Sequence, residues 1–158
     1  MPDLRNRKWR SFAIFAALGA VAALGQAPVD WPVATVLSLA ATMLLFGPGR
    51  GIKDAGWKGW AFGFGYFLLA LAWIVNPFLV EPDRDGWMAP FALVLMPAGL
   101  GLFWAAAFVL ARRLGGGSVA LGVSLALAET LRSFIFTGFP WALLGHVWID
   151  TPHAQLAA

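Results

Sequence analysis

Residues 129–150 read Glu129-Thr130-Leu131-Arg132-Ser133-Phe134-Ile135-Phe136-Thr137-Gly138-Phe139-Pro140-Trp141-Ala142-Leu143-Leu144-Gly145-His146-Val147-Trp148-Ile149-Asp150. Glu129 and Arg132 are three apart, so on a helix they share a face. They stand in or at the edge of an apolar run, where an unpaired charge costs roughly 2.5–3.5 kcal/mol. Proline restricts Phe139 to extended backbone and Gly138 allows a tight bend, so Thr137 to Trp141 should stop that helix. Nowhere else in the chain do charge, an aromatic turn and apolar surface come together in this way.

The composition sets the solvent. Apolar residues make up 60% of the chain and charged residues 12%, against roughly 45–50% and about 25% in a soluble domain. The apolar residues come in long blocks separated by short charged clusters, the pattern of a multi-spanning membrane protein. The net charge of +3 therefore matters through its distribution, and no nucleic-acid partner is expected. There is no cysteine, which excludes disulfides, thiolate metal sites and a cysteine nucleophile in this chain. His146 and His153 have no acidic or thiol ligand set around them and read as interfacial residues; neither a metal nor a cofactor is expected.

Working back from the deciding stretch, five apolar runs appear. Arg5, Arg7, Lys8 and Arg10 precede the first, Phe12 to about Leu24. This resembles a signal peptide, but no clean small-x-small cleavage site follows, so an uncleaved helix over roughly 11–26 is expected. The second run, Val33 to Phe46, is short for a hydrocarbon core that needs about 20 residues, which puts Asp30-Trp31-Pro32 at the interface. Gly47 to Lys58 is expected to be a loop. The third run, Trp60 to Val80, opens with Gly59 and Gly63, a spacing that allows close helix approach or simply reflects the tolerance of membrane helices for glycine, and ends at Asn76-Pro77. Glu81 to Gly86 reads as a polar loop. The fourth run, Met88 to Ala111, has Pro97 in its middle and should kink there. Arg112-Arg113 and Gly115-Gly116-Gly117 lead to the fifth, Val119 to about Phe136.

Charge placement tests that division. With the N-terminus cytoplasmic, the inside segments hold Arg5, Arg7, Lys8, Arg10, Arg50, Lys53, Lys58, Arg112 and Arg113. The outside segments hold Asp30, Glu81, Asp83, Asp85 and Asp150, with Arg84 as their one firm basic residue. This is the positive-inside distribution. The expected fold is all-α with about five transmembrane helices. Residues 1–10 form a basic cytoplasmic N-terminus, 11–136 the five-helix region, and 137–158 an extracytoplasmic aromatic turn with the start of a following segment. Of the nine tryptophans, Trp9, Trp31, Trp57, Trp60, Trp87, Trp141 and Trp148 fall near interfaces, while Trp73 and Trp104 read as deeper. The end at Ala157-Ala158 reads as a cut, or as running into another apolar segment.

Glu129-x-x-Arg132, then Phe136-Thr137-Gly138-Phe139-Pro140-Trp141, then Leu144-Gly145, resembles the membrane-domain signature of apolipoprotein N-acyltransferase. Ala27-Pro28 with Trp31-Pro32 resembles that family's first extracytoplasmic turn, and Gly63-Phe64-Gly65 leading to Trp73 resembles its third helix. The Phe-Thr-Gly-Phe-Pro-Trp block is the specific part. His146 stands where the family usually has Tyr.

The resemblance implies an enzyme of the bacterial cytoplasmic membrane. It implies transfer of an acyl chain from a phospholipid to the N-terminal diacylglyceryl-cysteine of a lipoprotein, by a Glu-Lys-Cys triad in an extracytoplasmic nitrilase-like domain. Lacking cysteine, this chain resembles only the membrane part and is expected to be inactive alone. Its partners would then be the bilayer, the phospholipid donor, the lipoprotein acceptor and the missing catalytic domain.

The candidate lipid or domain-docking residues are Glu129, Arg132, Phe139, Pro140, Trp141, His146, Trp148 and Trp73. Glu129 and Arg132 read either as a clamp near the lipid-entry face or as a plain intramembrane ion pair. Phe139-Pro140-Trp141 reads either as an aromatic edge for lipid or the catalytic domain, or as a helix-ending turn. A small stand-alone membrane protein that binds lipid or a partner without chemistry is the alternative. Transport ranks third, because only Glu129 and Arg132 are ionisable within the runs.

Overall fold

A computed structural model describes residues 2–47, 51–135 and 141–149. Among the described residues the regular structure is entirely helical. It comprises α1 (Pro2–Ala23), α2 (Pro32–Phe46), α3 (Ile52–Ala70), a short α4 (Pro82–Asp85), α5 (Ala89–Arg113) and α6 (Ser118–Phe134). Three 3-10 segments, Ala72–Leu79, Gly86–Met88 and Leu144–Trp148, complete it.

The core is built outward from α3. On one side it packs against α5 and on the other against α1, with α2 on α1 and α6 on α5. Glycine makes both α3 seams possible. A Cβ on Gly59 would stand 2.5 Å from the Trp104 carbonyl oxygen, and one on Gly63 would stand 2.9 Å from the Gly101 Cα. The expected close approach at Gly59 and Gly63 is therefore realised, against α5. A second pair serves the opposite seam, where no packing spacing announced it: a Cβ on Gly19 would collide with the Phe62 carbonyl, and one on Gly65 with the Ala16 carbonyl. Aromatic rings fill the space beside these contacts. Trp104 lies 4.8 Å from Tyr66 and 5.1 Å from both Phe62 and Phe67, centroid to centroid.

The surface pattern is inverted relative to a water-soluble bundle. α6 exposes Val119, Val123, Leu127, Leu131 and Phe134 and buries Ser124, Ala128 and Arg132. α2 exposes Val33, Val36, Leu37 and Leu44 and buries Thr35, Ser38 and Thr42. The buried hydroxyls hold α2 to α1: Thr35 donates to the Ala22 carbonyl at 2.6 Å and Ser38 to the Leu18 carbonyl at 2.5 Å. Thr42 and Ser124 are also buried, their hydroxyls without a hydrogen-bond partner among the described residues.

Several expectations are corrected. α3 begins at Ile52, inside the segment expected to be a loop, because Lys58 and Asp54 pair one turn apart at 3.0 Å. Lys58 is thereby buried, with its ammonium 5.3 Å from the Phe15 ring. α3 ends at Ala70 and bends by 46° into Ala72–Leu79, well before Asn76-Pro77. Pro77 cannot donate to the carbonyl of Trp73, so an α-helix could not continue through it, but the 3-10 form has already taken over at Ala72. The bend leaves Trp73 46% exposed, not deep, whereas Trp104 is fully buried as expected. Part of the expected acidic loop forms α4, and α1 starts at Pro2. Among the described residues one helical stretch, Pro82–Arg113, is long and apolar enough to cross a membrane by itself. α3 with Ala72–Leu79 makes a second if the bent pair is one span.

Candidate functional site: a buried ion pair that holds the segment after α6

α6 delivers Glu129 and Arg132 to one face, as their spacing requires. The Arg132 Nη2 donates to both Glu129 carboxylate oxygens at 3.2 Å. The side chain of Arg132 is 1% exposed and its guanidinium lies 5.0 Å from the Phe67 ring centroid. A pair held this deeply is stable only if its remaining hydrogen-bonding capacity is used.

That capacity is spent on the segment that follows α6. Arg132 Nη1 donates to the Trp141 carbonyl at 2.7 Å and Nη2 to the Ala142 carbonyl at 3.3 Å. The Leu144 N–H donates to Glu129 Oε2 at 2.8 Å, and the Trp104 indole N–H donates to Glu129 Oε1 at 2.8 Å. From the opposite side the Tyr66 hydroxyl donates to the Ala142 carbonyl at 3.1 Å. Gln26 Nε2 donates to the Tyr66 oxygen at 2.7 Å and to the Leu143 carbonyl at 2.9 Å. Residues 141–144 are thus gripped by α6 on one flank and by α3 and the turn after α1 on the other.

The grip holds an unfavourable backbone. Ala142 has φ +52°, a left-handed conformation that costs a residue with a Cβ about 1–2 kcal/mol. Two hydrogen bonds to its carbonyl, one from an ionised donor, offset that cost. The 3-10 segment beyond is seated by Val147, which is buried; a Cβ on Gly25 would stand 2.9 Å from its side chain.

The candidate residues divide accordingly. Glu129, Arg132 and Trp141 meet directly through the Trp141 carbonyl. Trp73 joins them, its ring 5.1 Å from that of Trp141, both indoles about half exposed. His146 and Trp148 lie partly buried on the 3-10 segment. Phe139 and Pro140 lie outside the described residues, as does the rest of the Phe136–Pro140 turn, and so do Asp150 and His153. α6 itself ends at Phe134, with Ile135 already extended. Gln26, Tyr66 and Trp104 complete the site. Of these, only the position of Trp104 carried a signal in the sequence.

Beside the ion pair an open apolar groove of about 670 Å³ runs along α5, lined by Leu95, Met96, Leu100 and Phe103 among others, with Arg132 also on its wall. Arg132 reaches that wall with its guanidinium already engaged by Glu129 and the Trp141 and Ala142 carbonyls, so what the groove offers is a hydrocarbon surface.

The chain has clear relatives. Residues 18–158 match the model of the apolipoprotein N-acyltransferase N-terminal domain. It is 41% identical to an apolipoprotein N-acyltransferase of Brucella suis over 157 residues, covering 91% of this chain and 30% of that protein. It is 41% identical to one from Brucella melitensis over 94% of the chain, and 36% identical to one from Caulobacter vibrioides over 98% of it. The chain thus spans about 30% of the length of each of these curated relatives. It belongs to the apolipoprotein N-acyltransferase family, and what it carries of that family is the N-terminal domain.

Proposed function

We propose that this chain is the membrane-embedded N-terminal portion of an apolipoprotein N-acyltransferase, in the bacterial cytoplasmic membrane. The complete enzyme would transfer an acyl chain from a phospholipid to the N-terminal diacylglyceryl-cysteine of a lipoprotein. The family match carries the reading. The inverted faces of α2 and α6 support a lipid surround, since apolar patches of this extent are not left facing water in soluble monomers. The nine basic residues read as lying on one side support a cytoplasmic N-terminus and about five spans.

Within that enzyme the ion pair acts as a clamp. It fixes residues 141–144 so that the half-exposed Trp73 and Trp141 form an edge on which acyl chains or the catalytic domain rest. The α5 groove beside Arg132 receives an acyl chain. Chemistry is the task of a cysteine-bearing domain that this chain does not contain, so the chain alone is inactive. Acyl transfer from phospholipid to a diacylglyceryl peptide is the decisive assay. No turnover above background is expected from the 158-residue chain, with activity appearing once it is joined to a nitrilase-like domain of the family. Transfer by the chain alone would overturn the division of labour.

A further inference from the structure

The end of the molecule remote from the ion pair carries a second cleft. It lies between the first turns of α1 and the start of α3, has a volume of about 670 Å³, and is lined by Lys8, Trp9, Gly51, Lys53, Asp54 and Trp57. Its electrostatics are positive. Asp54 is matched by Lys58 at 3.0 Å, while Lys8 and Lys53 are exposed and have no carboxylate partner among the described residues. Its walls are aromatic and prebuilt. Trp57 stacks on Trp60 at 5.2 Å and 23°, and Trp60 stacks on Phe64 at 5.5 Å. Phe12 bridges the two helices, 5.6 Å from Trp57 and 6.0 Å from Trp9. The Trp60 indole is fixed by donating to the Ala98 carbonyl at 3.0 Å. A ladder of rings thus climbs the α1–α3 seam from a mouth that holds two free ammonium groups.

We propose that this cleft binds an anionic phospholipid of the cytoplasmic leaflet, its phosphate between Lys8 and Lys53 and its glycerol and upper acyl chain against Trp9 and Trp57. A soluble anion would use the lysines but gain nothing from the rings; a zwitterionic lipid would use the rings but bring its own cation to the lysines. The leaflet rests on the orientation given under Proposed function. The cleft itself rests on the residues above and is separate from the α5 groove.

Native mass spectrometry of the detergent-solubilised chain tests it, with phosphatidylglycerol, phosphatidylcholine and inorganic phosphate as probes. Phosphatidylglycerol should be retained selectively, and inorganic phosphate should not compete for it at equal concentration. Each lysine near an anionic lipid surface strengthens binding about fivefold, so K8Q/K53Q should weaken retention about thirtyfold. R113Q, which removes an exposed charge outside the cleft, should leave it unchanged. W9A should weaken lipid binding in a protein that keeps its thermal midpoint. Equal retention of the two lipids, effective competition by inorganic phosphate, or an unaffected K8Q/K53Q variant would each overturn the site. Because the chain has no cysteine, K53C can be labelled from one side of sealed vesicles without background. Labelling from the extracytoplasmic side would refute the leaflet and the orientation but not selective retention, so the two failures are distinguishable.

Discussion

Both ends of this bundle engage an arginine, half-buried at one and fully buried at the other, and they use it differently. At the end where α2 and α5 finish, Arg112 donates to the Gly47 carbonyl at 2.6 Å and the Phe46 carbonyl at 3.0 Å, its guanidinium 4.3 Å from the Phe46 ring. It satisfies carbonyls that the end of α2 leaves without helical partners and so staples one helix to another. At the other end Arg132 is matched by a carboxylate, and the pair reaches across to chain that belongs to no long helix. Arg112 closes a seam; Arg132 and Glu129 hold an added segment in place. A cation needs a partner in both settings, but only the second setting builds a surface whose shape depends on the pair.

The largest expected effect tests that difference. Arg132→Ala leaves the mostly buried Glu129 without its countercharge and removes one donor each from the Trp141 and Ala142 carbonyls. Breaking a buried pair from one side costs about 3–5 kcal/mol, so the detergent-solubilised variant should lose most of its folded yield in size-exclusion chromatography. In a complete enzyme, unchanged abundance with reduced acyl transfer would replace the clamp with a direct substrate role. Arg112→Ala should be milder, about 1.5–3 kcal/mol from the lost charged hydrogen bonds. It should lower the thermal midpoint while limited proteolysis finds residues 141–149 as protected as before. Exposure of that segment would show that the two ends are not independent. The smallest effect concerns Ala142. A valine there should destabilise further, because a β-branched side chain fits a positive φ worse than alanine does, while glycine should be neutral or slightly stabilising. If both behaved alike in thermal unfolding, the grip would not be holding a strained backbone.

How much of this the sequence discloses follows from range. Glu129 and Arg132 are three residues apart, and Gly59 and Gly63 four, so helical periodicity alone brings each pair to one face. The start of α3 was hidden because Lys53, Asp54 and Lys58 look like loop charge until Asp54 and Lys58 are seen to neutralise one another on a helix. The bend at Leu71 was hidden because it precedes Pro77 by six residues, beyond the one carbonyl a proline deprives of its partner. Gln26 and Tyr66 could not be found at all: their partners lie 117 and 76 residues away, and no local pattern encodes a contact of that separation. The glycines of the α1–α3 seam, Gly19 and Gly65, escaped for the same reason, since each answers to a backbone on the other helix.

The separation between those partners also fixes an order of events during synthesis. The glycine seams join α1, α3 and α5 and are complete once Arg113 has been made. Tyr66, Gln26 and Trp104 are by then made, while Ala142, Leu143 and Glu129, to which they will respectively donate, do not yet exist. Glu129 and Arg132 arrive next, and the carbonyls of 141–143 last. The carbonyls of Ala142 and Leu143 thus satisfy donors made 76 and 117 residues earlier. A ribosome that stalls before residue 141 leaves a bundle that is packed but chemically unfinished.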